Sequence, residues 1–373
     1  LGAFRGAGRP EGIYLTERLM DQAGREIGVD PSELRRRNMV KPEQMPYITP
    51  MEESVDSGEF EKVMDAALRQ SDWNGFDERR EMSRESGKLR GRGIGCYIEW
   101  TGSELNETVT IVADASGSIT LYSGTQPMGQ GIATSYLQIF SEQLQLPVDQ
   151  LNLIQGDTDL VEGHGSVGSR SLFVGGNAII RGTEDFLDEC RKLAASELEA
   201  SEDDIEYHQG AFQVKGTHVG IGLFELCVRQ PEKQISVKRK KELTGRSWPN
   251  GCHVAEVEID PETGSVRLER YTSIDDVGKA VNPMIVHGQV QGGIASGLGQ
   301  AVLERTEYDK TGQLLTGSYL DYALPRADDL PTLSGSLFEE TPCLTNPLGA
   351  KGTGEIGAVA GPPAIVHAVL DAL

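Results

Sequence analysis

The chain has 373 residues, enough for two or three domains, and 38% of them are hydrophobic, which excludes a wholly disordered protein. Lysine and arginine number 35 against 57 aspartate and glutamate residues, so the net charge of −22 disfavours nucleic acid and anionic lipid as partners. The 45 glycines exceed the usual frequency, and we expect many tight turns or close approaches of the backbone to a ligand.

The sequence contains no pattern typical of a metal cage or a membrane segment. Its cysteines and histidines are dispersed without a CxxC or HExxH motif, so we expect no metal held directly by side chains, while a metal carried by an organic cofactor stays open. No apolar run is long enough to span a membrane and no signal peptide opens the chain, which predicts a cytoplasmic protein. The chain begins at Leu1 inside a dense motif, LGAFRGAGRPEG, and we therefore expect a missing N-terminal half.

The first ninety residues predict helices and a connection. Apolar residues at helical spacing predict a helix over 13–23, and the run VDPSELRRRNMV predicts a second helix that starts at its proline. Residues 41–90 are polar, and they predict a surface connection that carries one short helix at 60–68.

From Gly91 onward, predicted strands and helices are interleaved. Alternation of apolar and polar residues predicts strands, and apolar residues three and four apart predict helices. The predicted strands are 91–100, a hairpin at 108–123, 151–156, 253–260 and 265–278, and the predicted helices are 135–144, 175–198, 286–303 and 363–373. Because the hairpins are antiparallel, we expect an α+β (mixed α/β) fold with two subdomains.

The composition also suggests where the subdomains meet. We expect a helical opening and connecting segment at 1–90, a first α+β subdomain at 91–235 and a second at 236–373. The boundary is placed near residues 228–246, a polar and basic stretch that we interpret as a solvated loop rather than a binding patch.

Two segments match the pattern GxGxxG, at 163–168 and 352–357. A dinucleotide-binding fold needs a strand directly before this motif, a helix directly after it and an acidic residue about 20 residues further on. Neither match follows a predicted strand directly, and the chain ends soon after the second. An ordinary dinucleotide-dependent dehydrogenase is therefore disfavoured.

The second match contains one carboxylate, Glu355, between glycines. With little side-chain bulk beside it, this carboxylate can approach a substrate or cofactor closely, which makes Glu355 a candidate general base. Spacing alone favours another interpretation, a solvent-facing acid at a helix N-terminus that the helix dipole stabilises. Both interpretations stay open at this level.

Two further glycine clusters precede predicted helices. Residues 124–131 (GTQPMGQG) present backbone N–H groups that suit an anionic ligand, and Gln130 can both donate and accept hydrogen bonds; an ordinary loop is the alternative. Residues 165–171 combine three hydroxyl groups with Arg170, an inventory that suits a phosphate or pyrophosphate.

Five runs, in order along the chain, resemble the large molybdenum-binding subunit of the molybdenum hydroxylases, the family of xanthine dehydrogenase, aldehyde oxidase and aerobic carbon monoxide dehydrogenase. They are AFRGAGRPEG, GTQPMGQGIAT, GDTD with GSVGSRS, DDVGKAVNPMIVHGQVQGGIASGLGQAVLE, and NPLGAKGTGEIGAVAGPPAIVHAVLDAL. The resemblance is to the C-terminal half of that subunit, and it implies the two-subdomain, molybdopterin-binding architecture of the family.

The resemblance also implies roles for individual residues. Glu355 matches the glutamate of the family's GxGE motif, which acts as the base in hydroxylation, and this reverses the preference that spacing alone gave. Arg5 matches the arginine of the FRG motif beside the metal. The other cofactor contacts that the resemblance implies are Gly129, Gln130, Gly131, Val167, Gly168, Ser169, Arg170, Ser171, Gln289 and Gly354. The dithiolene of the pterin, not a side chain, holds molybdenum in this family, and the GSRS run resembles members that bind the cytosine dinucleotide form.

The implied reaction is hydroxylation of an aldehyde or an N-heterocyclic aromatic, with water as the oxygen donor. Gly6 stands where copper-type carbon monoxide dehydrogenases carry a cysteine, and Ala7 where purine-oxidising members carry an aromatic ring, so neither carbon monoxide nor a stacked purine is favoured. The resemblance implies partner chains that carry a [2Fe–2S] cluster and FAD, the missing N-terminal half, and a dimer of heterotrimers. We expect the chain alone to be inactive and poorly soluble. A non-catalytic assembly or binding subunit with the same fold is the alternative.

Overall fold

A computed structural model describes residues 3–373. The α-helices are α1 (Arg9–Ile27), α2 (Pro31–Asn38), α3 (Phe60–Gln70), α4 (Phe76–Glu85), α5 (Ile132–Leu144), α6 (Asn177–Glu197), α7 (Leu223–Arg229), α8 (Pro283–Leu298) and α9 (Ile356–Ala372). The strands are β1 (Tyr47–Ile48), β2 (Ser54–Val55), β3 (Leu89–Ile98), β4 (Asn106–Asp114), β5 (Ile119–Ser123), β6 (Leu151–Gln155), β7 (Ile205–His208), β8 (Ala211–Val214), β9 (Gly220–Gly222), β10 (Gln234–Glu242), β11 (Asn250–Ile259), β12 (Val266–Asp276) and β13 (Leu333–Phe338). The mixture of helix and sheet confirms the predicted fold class.

The chain divides into two compact units, each built from segments that are distant in sequence. The first unit comprises the described part of Leu1–Thr101 with Ser247–Cys343 and Thr353–Leu373, and the second comprises Gly102–Arg246 with Leu344–Gly352. This discontinuous division differs from the three consecutive regions predicted from composition. Within residues 3–373, no helix is long and apolar enough to cross a membrane.

The first unit is a four-stranded sheet covered by helices on both faces. The strand order is β13-β12-β11-β3, with β12 and β13 parallel and the other pairs antiparallel. Strand β11 is buried along almost its whole length because α3 packs on one face of the sheet while α8 and α9 pack on the other. The second predicted helix, which was expected to start at its proline, is α2. The Asp30 carboxylate accepts hydrogen bonds from the first N–H groups of this helix and so caps it.

Helix α9 lies directly on β3 because three alternate residues on one face of that strand are glycines. Glycines alternate along β3 at positions 91, 93 and 95, so all three face α9. A Cβ atom on Gly93 would lie only 2.1 Å from the backbone oxygen of Ala364 in α9. This backbone-to-backbone contact fixes the position of α9 and therefore of the residue at its N-terminus.

The C-terminal helix is longer than the sequence pattern predicted. It begins at Ile356 rather than at Pro363, and it contains Pro362 and Pro363. Proline normally ends a helix because it lacks an N–H donor. Here the turn before the prolines is completely buried, and a Cβ atom on Gly293 of α8 would lie 2.7 Å from Cα of Gly357. Packing of small residues against α8 and β3 therefore holds the helix through the prolines.

The second unit contains a four-stranded and a three-stranded sheet. The first has the order β10-β4-β5-β6, with β5 and β6 parallel and the other pairs antiparallel, and α6 packs on β4 and β10. The predicted hairpin is β4 and β5, whose residues alternate between buried and half-buried as a half-covered sheet requires. A π-helical turn, Ser171–Gly176, leads directly into α6.

Several elements escaped the sequence analysis. The basic stretch that was expected to be a loop contains β10, an edge strand in which Ile235 and Val237 are buried while Lys238 and Lys240 point to solvent. Lysines on an edge strand hinder pairing with other chains, and they obscure the alternation that would identify the strand. The polar region at 41–90 carries α4 in addition to the expected helix. The sheet β7-β8-β9 and the parallel strand β13 were also not predicted.

Candidate active site

Glu355 occupies the N-cap position of α9, and its side chain does not cap that helix. The carboxylate instead turns away from its own helix: Oε1 accepts a hydrogen bond from the backbone N–H of Gly6 at 3.0 Å, and Oε2 accepts one from Nη2 of Arg9 at 2.7 Å. Only 13% of the Glu355 side chain is exposed. The helix-terminus interpretation is therefore right about position but wrong about a solvent-facing side chain.

Arg5 joins two other predicted site residues in the first unit. Its Nε donates to the backbone oxygen of Gly354 at 2.7 Å, and its Nη2 donates to the backbone oxygen of Gln289 at 2.9 Å and to the side-chain oxygen of Gln289 at 3.3 Å. Burial lowers the pKa of the Arg5 guanidinium, although the Glu355 and Glu99 carboxyl groups raise it in opposition. The structure thus brings Arg5, Gln289, Gly354 and Glu355 together at the N-terminal end of α9.

Two residues of this cluster were missed by the sequence analysis. Arg9 contacts Glu355 through Nη2, donates from Nε to the backbone oxygen of Gly6 at 2.7 Å, and donates from Nη1 to the backbone oxygen of Trp100. Glu99 follows the last residue of β3, and its Oε1 lies 3.4 Å from Nη1 of Arg9. Arg9 stands in the same motif as Arg5, four residues later, which was a usable signal. Glu99 ends an apolar strand and carried no such signal.

A cavity of about 640 Å³ adjoins Arg5 in the first unit. Its wall includes the aromatic rings of Phe4 and Tyr14, together with Ala7 and Pro362. Ala7 has a left-handed backbone (φ 46°) and is exposed, so it contributes only a methyl group to this wall. The volume lies within the range of small-molecule sites in proteins.

In the second unit, the two predicted glycine loops cross at backbone distance. A Cβ atom on Gly124 would lie 2.5 Å from Cα of Gly163, so neither position accepts a side chain without displacing the other loop. The Ser166 hydroxyl donates to the backbone oxygen of Gln126 at 2.6 Å and accepts from its N–H at 3.1 Å. The loop at 124–131 and the loop at 163–171 therefore form one paired structure, although nothing in the sequence linked them.

The first of these loops presents an open backbone at the start of α5. Gly129 and Gly131 have left-handed φ values of 84° and 78°, and a Cβ atom on Gly129 would contact nothing. Gly131 is the N-cap of α5 and provides no side-chain cap for the first N–H groups of that helix. The Gln130 side chain folds back on the loop, donating to Gln126 and accepting from the N–H of Met128. This geometry is typical of a loop that binds an anionic ligand through its backbone.

The second loop differs from expectation at Arg170. Its guanidinium was expected to face a phosphate, but the side chain is completely buried and donates from Nη1 to Oε2 of Glu107 at 2.8 Å. Its other donors go to backbone oxygens of Glu104, Asn106 and Gly165. The fully buried Glu107 carboxylate requires a cationic partner, and Arg170 supplies it. Arg170 therefore fixes the loop from inside.

The remaining predicted residues of this loop lie nearer its surface. Val167 is exposed, whereas Gly168, Ser169 and Ser171 are half-buried. Gly168 and Ser169 are consecutive left-handed residues, with φ 58° and 56°. Left-handed backbone is rare in serine, and it occurs where a surrounding structure imposes a functional loop shape.

These residues fit an organic cofactor that brings its own metal ligands. Among residues 3–373, no group of three or more His, Cys, Asp or Glu side chains could hold a metal ion. The second unit instead offers left-handed glycines in its loops, with open space beside Gly129 at the start of α5, which suits a cofactor that carries a phosphate. The first unit offers the Arg5 guanidinium at a cavity and the Glu355 carboxylate next to Gly354, which Arg5 binds.

Comparison with known proteins identifies the family. Profiles described as molybdopterin cofactor-binding domain match residues 1–39 and 66–331. The chain is 34% identical to the 6-hydroxypseudooxynicotine dehydrogenase complex subunit gamma of Paenarthrobacter nicotinovorans, over 100% of this chain and 49% of that relative. It is 33% identical to the nicotine 6-hydroxylase large subunit of the same organism, over 100% of this chain and 48% of that relative. The structure is also similar to quinoline 2-oxidoreductase from Pseudomonas putida 86, with a TM-score of 0.90 and 31% identity over 100% of this chain and 50% of that one. The chain spans about half the length of these relatives. It belongs to the molybdopterin cofactor-binding family, the family of the molybdenum hydroxylase large subunits.

Proposed function

We propose that this chain is the cofactor-binding part of a hydroxylase that oxidises an N-heterocyclic aromatic compound, with Glu355 as general base. In the net reaction, the C–H bond of the substrate and one water become a C–OH group, two protons and two electrons. The observation that carries the proposal is Glu355 itself, a half-buried carboxylate held on both oxygens at the N-terminus of α9, beside Arg5.

The residues of this chain position the reacting groups and accept a proton. Each oxygen of Glu355 accepts a hydrogen bond from the protein, and these bonds orient the carboxylate so that it can take a proton from the attacking oxygen. Arg5 ties the segment before Glu355 to α8 through Gly354 and Gln289, so the base is held on rigid elements. The molybdenum cofactor, when bound, supplies the two-electron redox chemistry.

The proposed contacts to the pterin cofactor fall into two sets. In the second unit they are Gly129, Gln130, Gly131, Val167, Gly168, Ser169 and Ser171, with Arg170 holding the loop from inside. In the first unit they are Arg5, Gln289 and Gly354. We take the cofactor to be the cytosine dinucleotide form, since the GSRS run at 168–171 resembles members that bind that form.

Two observations support a heterocyclic substrate over an aldehyde. The relatives named nicotine 6-hydroxylase and quinoline 2-oxidoreductase carry nitrogen heterocycles in their names, and both are more than 30% identical to this chain. The cavity beside Arg5 has aromatic walls and a volume of about 640 Å³, which accommodates a bicyclic ring. The electrons would leave through a [2Fe–2S] chain and an FAD chain, in a dimer of heterotrimers.

The test uses the complete enzyme complex, expressed with molybdate. Molybdenum is measured by plasma mass spectrometry and the acid-released nucleotide is identified from the same sample; quinoline, nicotine and benzaldehyde are then offered as substrates. We expect near-stoichiometric molybdenum, cytidine monophosphate, and faster turnover of the heterocycles than of the aldehyde. Glu355→Gln is expected to retain molybdenum and lose about 10²–10⁴-fold in kcat, the usual contribution of a general base.

A matched control is Glu33→Gln, which removes an exposed carboxylate on α2 and is expected to leave turnover unchanged. Unchanged turnover in Glu355→Gln would refute the role of the base. A wild-type complex without molybdenum would refute the proposed function and favour the assembly subunit. Preference for benzaldehyde would refute the substrate class alone.

A further inference from the structure

A second carboxyl group lies behind the proposed base. Glu99 follows β3 directly, its side chain is 0% exposed, and its backbone N–H donates to the backbone oxygen of Pro249 at 2.8 Å. Neither of its carboxyl oxygens accepts a hydrogen bond from an N–H donor of the described residues, and the one side-chain hydrogen bond that affects its pKa is shared with the Glu355 carboxyl group. A buried carboxyl group that accepts no hydrogen bond from an N–H donor is more stable in its neutral, protonated form.

Arg9 contacts both this carboxyl group and the base. Its Nη2 is 2.7 Å from Oε2 of Glu355, and its Nη1 is 3.4 Å from Oε1 of Glu99. The same guanidinium is anchored to the backbone oxygens of Gly6 and Trp100, so it cannot swing freely between the two carboxyl groups. The orientation of Arg9 therefore determines where the Glu355 carboxylate is held.

The surrounding charges explain why the Arg9 guanidinium pairs with the Glu355 carboxylate rather than with Glu99. Burial raises the pKa of Glu99 to about 8; Arg9 and Arg5 lower this pKa, and the neighbouring Glu355 raises it. The only other titratable group shown to interact with Glu99 among the described residues is the buried phenol of Tyr97, on the same strand. At neutral pH Glu99 is therefore mostly uncharged, and Arg9 is left to pair with Glu355.

We propose that Glu99 is a positioning residue of this site, a neutral carboxyl group that holds the Arg9 guanidinium against Glu355. This inference rests on the proposed role of Glu355 as base. The packing of α9 on the glycines of β3 explains the arrangement, because it places the end of β3 beside the start of α9. When Glu99 loses its proton, Arg9 is shared between two carboxylates and holds Glu355 less firmly.

The test compares Glu99→Ala, Glu99→Gln and wild type as complete, molybdenum-loaded complexes. We expect Glu99→Ala to lose about ten-fold or more in kcat with KM and molybdenum content unchanged, because positioning acts on the transition state. Glutamine resembles the neutral acid, so Glu99→Gln should restore kcat to within about three-fold of wild type at pH 6.5. In wild type, kcat should decline on the alkaline side with an apparent pKa near 8, and this decline should be absent in Glu99→Gln.

A matched control is Glu17→Gln. Glu17 is another buried carboxylate of the first unit paired with an arginine, Arg35, but it makes no contact with Glu355 in the described structure. Its substitution should reduce stability without changing the pH profile of kcat. If Glu17→Gln and Glu99→Gln alter the profile alike, Glu99 has only a structural role.

Infrared spectroscopy provides a measurement that does not depend on turnover. The C=O band of a protonated carboxyl group should titrate near pH 8 in wild type and be absent in Glu99→Gln. A missing band, or the same alkaline decline in both proteins, would overturn the inference, and this holds even where Glu99→Ala fails to fold. If the molybdenum-loaded wild type oxidises no substrate, the proposed function fails, while the infrared titration still decides whether Glu99 holds a proton.

Discussion

Replacing Glu99 by glutamine changes stability in a way that depends on pH and can be calculated from the structure. The pKa of Glu99 rises from 4.5 in the unfolded chain to about 8 in the folded protein, chiefly through burial. Between these values the folded state holds a proton that the unfolded state has lost. The wild-type free energy of unfolding therefore falls as pH rises through this window, by about 1.4 kcal/mol for each pH unit and by about 5 kcal/mol in all.

Glutamine cannot titrate, so the variant escapes this loss. The free energy of unfolding of Glu99→Gln, relative to wild type, should rise steadily between pH 5 and pH 8. Urea unfolding followed by tryptophan fluorescence measures it, because Trp73, Trp100 and Trp248 all lie in the first unit. Glu33→Gln, on an exposed side chain, is the control and should show no such trend. Parallel pH curves for Glu99→Gln and wild type would refute the protonated Glu99 on which the reasoning depends.

Three further substitutions test the packing that positions the site. Gly93→Ala places a Cβ atom 2.1 Å from a backbone oxygen of α9 and should lower the free energy of unfolding by about 3 kcal/mol or more. The control, Gly12→Ala, lies in an open part of α1 and should be neutral or stabilising. Equal effects of the two substitutions in urea unfolding would contradict the contact between β3 and α9. Arg170→Met leaves a fully buried carboxylate without its cation and should cost about 3–5 kcal/mol; an unchanged unfolding midpoint would show that the pair is not buried in solution. Glu107→Gln in the Arg170→Met background should recover part of that loss in the same assay, and no recovery would show that the two residues act independently.

The elements that the sequence predicted best are those whose pattern arises from one buried face. The hairpin of β4 and β5 alternates buried and half-buried residues, so its period of two is visible in the sequence. The N-terminal part of α9 carries no such pattern, because small residues bury it on all sides and its prolines suggest a boundary. Strand β10 was missed because the C-terminal half of its sequence is almost entirely basic, which hides the alternation of buried and exposed residues.

The candidate site likewise contains residues that the sequence predicted and residues that it missed. Glu355, Arg5, Gln289 and Gly354 were identified through motifs that resemble a family, and Arg5 binds both Gln289 and Gly354, the residue before Glu355. Glu99 was missed because its importance depends on burial and on the proximity of Arg9, neither of which is encoded by spacing along the chain. Sequence alone also could not show that Arg170 points inward, since the partner that draws it in is 63 residues away.

The glycine content has two physical causes, which the structure separates. On β3 and α8, glycines lack the Cβ atoms that would keep the backbones apart. Helix α9 consequently packs against the sheet at backbone contact distance. In the loop at 124–131, Gly129 and Gly131 adopt left-handed backbone, and a Cβ atom on Gly129 would meet empty space. The glycines of β3 and α8 thus hold the proposed base Glu355 in a fixed position, whereas those of the loop at 124–131 leave room for a ligand. A substitution of the first kind should therefore move Glu355 and lower stability together, whereas one of the second kind should weaken cofactor retention with less effect on folding.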